Sequence, residues 1–252
     1  MPFNLVCPAS RGLSLALART LLQRSPHPLI ATARTNPDEV KGRILSGLNI
    51  PDDQVTVLQV DVTEEDTLSS AVQSIKQTHP NDHLNILISS AGVLHPERSP
   101  KDITKSDVLH TLSTNLLGPM LVMKHFSPFL PSKKTALDKP AVWVNISARV
   151  GSIEDNRLGG WYSYRATKAG VNQLTKTLNI HLKATAGGNA FAVAMHPGTV
   201  KTDLSREFWG NVEKEKLFEP EYAAERLVGV VERLGDGDGG GFFDWKGERI
   251  PW

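Results

Sequence analysis

The stretch Val6–Arg19, VCPASRGLSLALAR, runs from an apolar segment through a short turn into residues with apolar positions at helical spacing. A strand, a turn and a helix in that order form the junction on which a dinucleotide phosphate rests, and such a turn normally carries three glycines. Only Gly12 is present. The chain either still binds a dinucleotide through an altered turn or keeps the fold without the ligand.

The rest of the chain repeats the strand-then-helix pattern. Strands are expected at FNLVC (3–7), PLIATAR (28–34), VTVLQVD (55–61), LNILISSAG (84–92), AVWVNIS (141–147), AFAVAMHPG (190–198) and GGFFDW (240–245). Most are continuous apolar runs, as when both faces of a parallel sheet are covered. Helical patterns occupy 13–24, 63–78, 106–126, 162–184 and 219–234, with Thr63 and Asp66 resembling a capped start and Pro220 fitting a first turn. These units predict an α/β fold: a single-domain, Rossmann-type doubly wound parallel sheet of about seven strands with helices on both faces, spanning 1–252. No internal repeat or interdomain linker interrupts it, and 234–241 (LGDGDGGG) and 131–140 (PSKKTALDKP) read as surface loops.

Composition narrows the function. A net charge of +1 gives no electrostatic case for nucleic acid or an anionic membrane as partner. One cysteine, Cys7, excludes an internal disulfide and, lying in an expected strand, reads as a core residue. A first strand from Phe3 leaves no room for a signal peptide, and no apolar run approaches the ~18 residues of a membrane span. The expectation is a soluble, cytoplasmic protein. The eight histidines show no metal-ligand spacing, and His196 reads as structural, so no metal is expected.

In such a sheet, ligands bind beyond the carboxyl ends of the strands. There, Tyr164 and Lys168 in YSYRATK (162–168) stand four apart and share one helix face. An ammonium near a phenol favours phenolate and makes an acid–base pair; lowering tyrosine from about 10 to about 7 needs roughly 4 kcal/mol. That spacing arises readily by chance, so the neighbours carry the reading. Ser147 ends one strand, SSAG (89–92) ends another, and Asn115 sits inside a helix where an amide has no structural advantage.

With these residues in order, the chain resembles the short-chain dehydrogenase/reductase family over nearly its whole length. The matching pieces are the first turn, DVT (61–63), SSAG (89–92), STN (113–115), NIS (145–147), YSYRATK and HPGTVKTD (196–203). Residues 147–170 and the ending GERIPW look most like the C-factor-like and sniffer-like carbonyl reductase branch. The resemblance implies hydride transfer from a nicotinamide. Tyr164 would protonate the carbonyl oxygen, and Lys168 would lower the tyrosine pKa and hold the nicotinamide ribose. Ser147 would hydrogen-bond the substrate oxygen, and Asn115 would support a water-linked proton path. The cofactor would lie along Ser10, Arg11, Gly12 and Leu13, with Asp61 and Val62 flanking the adenine. Ala91 and Gly92 would border its path, and Pro197, Gly198, Val200 and Thr202 would cover the nicotinamide. A homodimer or homotetramer is also implied, built on the helices of Asn115 and Tyr164.

Three departures stand out against the family's pattern. In the first turn, Cys7, Pro8, Gly12 and Ser14 occupy the positions of Thr-Gly-x-x-x-Gly-x-Gly. Pro8 removes a backbone donor and Ser14 adds a side chain where helix and sheet should pack closely, so cofactor affinity is expected to be weakened rather than lost. The serine is spaced seventeen before Tyr164 instead of about thirteen, with Ala148 at the usual place; either Ser147 serves, which is preferred, or Ser152 does. SSAG lacks one amide beside the adenine ribose.

The end of the second strand reads Ala33-Arg34-Thr35 where an NAD-selective site carries an acid. Guanidinium suits a 2′-phosphate, and Arg11 offers a second cation, so NADP(H) is expected. Residues 204–218 are expected to form a substrate lid in which Phe208, Trp209 and Phe218 make an apolar wall with Ile153 and Leu158. The substrate is then a small-molecule carbonyl or alcohol: a hydrophobic or aromatic ketone, aldehyde or quinone. Two rival readings are a regulatory or signalling protein with an impaired turn, and an epimerase or dehydratase. The Tyr164–Lys168 pair opposes the first, since pure binding has no use for it; 252 residues leave little room for the second's longer substrate domain.

Overall fold

In the computed structural model, which describes residues 2–252, the apolar runs lie side by side as strands. These are β1 (Phe3–Cys7), β2 (Leu29–Ala33), β3 (Val55–Gln59), β4 (Leu84–Ser89), β5 (Ala141–Ile146) and β6 (Ala190–His196). The short strands β7 (Thr199–Val200) and β8 (Leu217–Phe218) pair apart from them, and β9 (Phe242–Asp244) completes the main sheet. The order is β3-β2-β1-β4-β5-β6-β9, and every pairing is parallel. Beside β1 the winding reverses, which opens a crevice at the carboxyl ends of β1 and β4.

The helices are α1 (Gly12–Arg24), α2 (Pro37–Leu45), α3 (Glu65–Thr78), α4 (Lys105–Leu112), α5 (Gly118–Phe126), α6 (Tyr162–Thr185) and α7 (Pro220–Val231). Alternate strand residues feed two cores. Val6, Ile88, Val142 and Val144 pack with α1, α2 and α7, whereas Leu5, Cys7, Leu87 and Trp143 pack with α3, α5 and α6. Cys7 is fully buried, and burial pushes its thiol up to about 11, so it is a core residue rather than a reactive one.

All seven expected strands of the main sheet form, and Pro220 lies in the first turn of α7. Three local features differ. Helix α2 was not expected, because the apolar face of PDEVKGRIL is short: Val40 and Ile44 are buried and Leu45 is half-buried against the core. The expected helix 106–126 is broken by a π turn at Ser113–Leu117. Thr63 and Asp66 do not cap α3: the helix starts at Glu65 without a side-chain cap, and Thr63 instead bonds Asp61 Oδ1 through both its amide (3.0 Å) and its hydroxyl (2.7 Å).

Candidate active site

A polar seam fixes the helix that carries the chemistry. Trp143, Asn145 and Ser147 alternate along β5 and its end, so all three face α6. Trp143 Nε1 donates to Asn145 Oδ1 (3.1 Å), and Asn145 Nδ2 donates to Thr175 Oγ1 (2.9 Å). Ser147 Oγ donates to Asn172 Oδ1 (2.6 Å), and Asn172 Nδ2 donates to Gly151 O (3.2 Å). Gly151 lies so close to α6 that a Cβ there would stand 2.7 Å from the Lys168 carbonyl carbon. Buried polar groups are thereby satisfied, and α6 is held in one register against the sheet.

One turn above that seam, Tyr164 and Lys168 come together. Both are buried, and Lys168 Nζ lies 5.7 Å from the Tyr164 ring centroid while donating to Ile146 O at 3.0 Å. Burial pushes Lys168 down to about 8 and Tyr164 up to about 12. The tyrosine shift runs opposite to the expected one: desolvation of the phenolate outweighs the ammonium, which is anchored to a backbone carbonyl.

Asn115 is fully buried in the π turn, a geometry frequent at functional sites. Its Oδ1 accepts from Val93 N (2.7 Å), and its Nδ2 donates to Val93 O (2.8 Å). It therefore clamps the segment after β4. Gly92, in that segment, faces the pair: a Cβ there would lie 3.7 Å from Lys168 Nζ and 3.8 Å from Asn115 Oδ1. Ser147 differs from the expectation, because its hydroxyl is turned into the seam rather than left free beside Tyr164. The alternative, Ser152, is also buried, and its Oγ accepts from Asp155 N at 3.1 Å.

The residues expected along a dinucleotide gather at the carboxyl ends of the strands. Ser10, Arg11, Gly12 and Leu13 follow β1, Arg34 follows β2, and Asp61 and Val62 follow β3; Ala91 and Gly92 follow β4. Pro197, Gly198, Val200 and Thr202 follow or flank β6 and β7. Gly12 has φ +53°, and a Cβ there would meet Thr202 Cγ2 at 2.9 Å, so the first turn abuts the segment after β6. No side chain caps α1, which leaves its first N–H groups directed at the crevice. A diphosphate fits that cradle, with no Cβ at Gly12 and uncapped backbone donors at the start of α1.

The lid is rearranged relative to the expected wall. Phe218 is buried against Trp245 (centroids 4.6 Å apart) and Tyr222 (5.1 Å) and does not line it with Phe208. Ile153 and Leu158 are 79% and 92% exposed and face solvent. Trp209 Nε1 donates to Ser205 Oγ (2.9 Å). The partner of Phe208 is Trp161, at 4.7 Å between ring centroids, and Trp161 also stands edge-on to Tyr164 at 6.1 Å. Neither Trp161 nor the buried Glu97 beside it was apparent in the sequence, where the pair Gly159-Gly160 was the one trace of an unusual turn.

Two cavities of about 260 and 390 Å³ open at the amino ends of the strands, around Ser127–Ser132 and His79–His83, away from this site. Among the described residues no group of three or more His, Cys, Asp or Glu could hold a metal ion, and no helix is long and apolar enough to cross a membrane.

The family model for short chain dehydrogenases matches residues 4–213. An uncharacterized oxidoreductase of Schizosaccharomyces pombe is 27% identical, covering 96% of this chain and 95% of that protein. The C-signal protein of Myxococcus xanthus is 29% identical over 67% of this chain and 93% of its own. The Sniffer carbonyl reductase of Drosophila melanogaster superposes with a TM-score of 0.85 at 26% identity, covering both chains fully. An NADPH-bound carbonyl reductase from chicken fatty liver gives a TM-score of 0.85 at 29% identity, covering 100% and 99%. With the sheet order, the crevice and the Tyr164–Lys168 pair, this chain belongs to the short chain dehydrogenase family.

Proposed function

We propose that this chain is an NADPH-dependent reductase of hydrophobic or aromatic carbonyl compounds: ketones, aldehydes or quinones. One observation carries the reading. Lys168 is buried at a cost visible in its lowered pKa, and it stands one turn from a buried tyrosine with the open flank of Gly92 alongside. A buried, perturbed pair in a crevice is characteristic of an acid–base site, and a binding module gains nothing from it.

When bound, a reduced nicotinamide would supply hydride to the carbonyl carbon. Tyr164 gives its hydroxyl proton to the carbonyl oxygen, so that C=O becomes CH–OH and tyrosinate remains. Its raised pKa keeps that proton in place until the oxygen gains charge. The Lys168 ammonium then stabilises the tyrosinate, and Asn115 holds the Val93 backbone beside the route by which the proton is replaced. The first N–H groups of α1, with Ser10, Arg11, Gly12 and Leu13, receive the diphosphate. Arg34, exposed and without an ion pair among the described residues, suits a 2′-phosphate, as does Arg11. Pro197, Gly198, Val200 and Thr202 would cover the nicotinamide, and Asp61, Val62 and Ala91 would border the adenosine. The chicken relative with NADPH bound supports the coenzyme choice. Exposed Leu109, Leu117, Met120 and Ile180 on the helices of Asn115 and Tyr164 support a homodimer or homotetramer.

NADPH consumption against a panel of carbonyl compounds tests the reading. The wild-type chain should turn over aromatic members, and Tyr164→Phe should lower kcat by about 100-fold or more. Unchanged turnover in Tyr164→Phe would overturn it.

A further inference from the structure

Trp161 occupies the left-handed region, φ 51° and ψ 48°, directly after Gly159 and Gly160, each at φ 65°. For a bulky side chain this backbone is a genuine outlier, and such outliers persist only where surrounding contacts over-determine them. The contacts are present. Trp161 N donates to Glu97 O (2.6 Å), and Ser163 N donates to the Glu97 carboxylate (3.2 and 3.4 Å), which is buried. The Glu97 carboxylate thus replaces the N-cap that a tryptophan cannot supply. From the other side, Arg165 donates to the carbonyls of Gly159 (2.9 and 3.1 Å), Gly160 (2.9 Å) and Val150 (3.2 Å).

A helix start needs no tryptophan, and a third glycine would adopt this backbone without strain. What the strain secures is the ring. Half-buried, it stands edge-on to Tyr164 at 82° and packs at 4.7 Å on Phe208 of the 204–218 segment.

We propose that Trp161 is a specificity-determining residue: with Phe208 it forms an aromatic wall beside the Tyr164 ring that selects flat, conjugated carbonyl compounds over puckered saturated ones of equal size. The proposal rests on the carbonyl-reduction reading and deepens it. An aromatic ring lying against that wall meets its π-systems in offset or edge geometry, whereas a saturated ring of the same carbon count gains burial alone. The expected preference is about fivefold, equivalent to about 1 kcal/mol.

Benzaldehyde and cyclohexanecarbaldehyde share a carbon count and a reacting group. Their kcat/KM ratio with NADPH, compared between variants, cancels their intrinsic reactivities. Trp161→Leu should lower the aromatic-to-saturated ratio about fivefold and Phe208→Leu by a similar factor, while Trp161→Phe keeps most of it. Phe208 lies on the lid, so its variant decides the question if Trp161→Leu fails to fold. Calorimetric titration with benzamide and cyclohexanecarboxamide reads the same preference without turnover. A ratio unchanged within about twofold in the leucine variants, by either measurement, overturns the proposal and leaves the carbonyl-reduction reading intact. Absence of turnover with an amide preference that collapses in the leucine variants sinks that reading and keeps the aromatic wall.

Discussion

The side-chain oxygens of Ser14 and Ser90 lie 2.9 Å apart, joining the first turn of α1 to the end of β4. Ser90 Oγ also donates to Pro8 O at 3.2 Å, so the three hydroxyl and carbonyl groups form one chain from helix to turn. Pro8, Ser14 and the SSAG segment look in the sequence like separate departures from a glycine-rich junction. In the fold they are a single unit: the side chain added at Ser14 is accommodated by a neighbour short enough to meet it, where the family's pattern has an asparagine.

Ser14→Ala and Ser90→Ala should each cost about 1 kcal/mol, as for an ordinary part-buried hydrogen bond. The double variant should cost less than the sum, by about 0.5–1 kcal/mol. Denaturant titration of the four proteins measures this coupling, and strict additivity would separate the two residues.

In the proposed function, coenzyme choice turns on Arg34. Arg34→Ala should raise KM for NADPH about tenfold and leave KM for NADH nearly unchanged, since only the 2′-phosphate needs the guanidinium. A wild-type chain that uses NADH as well as NADPH would refute the assignment.

The fold was legible because seven apolar runs, separated by helix-length segments, admit few arrangements other than a covered parallel sheet. Tyr164 and Lys168 were legible as candidates through their shared helix face and their ordered neighbours, and Asn115 because an amide has no structural advantage inside a helix. What stayed hidden depends on partners distant in sequence. The cap on α6 comes from Glu97, 66 residues before Ser163. The inward turn of Ser147 depends on Asn172 and on which face of β5 meets α6. The π turn at Asn115 is a local change in backbone hydrogen bonding. Helix α2 escaped because so short an apolar face makes no periodic signal.

Lys168 gives pH dependences of opposite sign in stability and in rate. Its pKa is about 8 in the fold against an ordinary 10.5, so between those values the unfolded chain holds more protons and stability rises with pH. Below about 8 the full penalty of the buried ammonium applies. Without coenzyme, Lys168→Met should therefore stabilise the chain at pH 7 by about 2 kcal/mol, after allowing about 1.4 kcal/mol for the bond lost at Ile146 O, and the gain should shrink to zero at about pH 9.5 and reverse above it. Reduction goes the other way. Tyr164, at about 12, keeps its proton throughout, so kcat/KM should fall as pH rises through about 8 and the ammonium is lost. A stability difference independent of pH, or a flat rate profile to pH 10, would contradict this account.

Ser147 separates a catalytic hydroxyl from a structural one. Its proton is directed at Asn172 Oδ1, 2.6 Å away, and the bond belongs to the seam that registers α6 against β5. If that geometry persists during reaction, Tyr164 alone donates to the substrate oxygen. Ser147→Ala should then lower kcat by less than about tenfold, while the unsatisfied Asn172 oxygen costs about 1–3 kcal/mol of stability. Tyr164→Phe should show the reverse, a large loss of kcat with little loss of stability. A drop in kcat of about 100-fold in Ser147→Ala would mean that the hydroxyl leaves Asn172 to meet the substrate. The seam would then be a resting arrangement that opens at each turnover, and Asn172→Ala, by freeing the hydroxyl in advance, should raise kcat instead of lowering it.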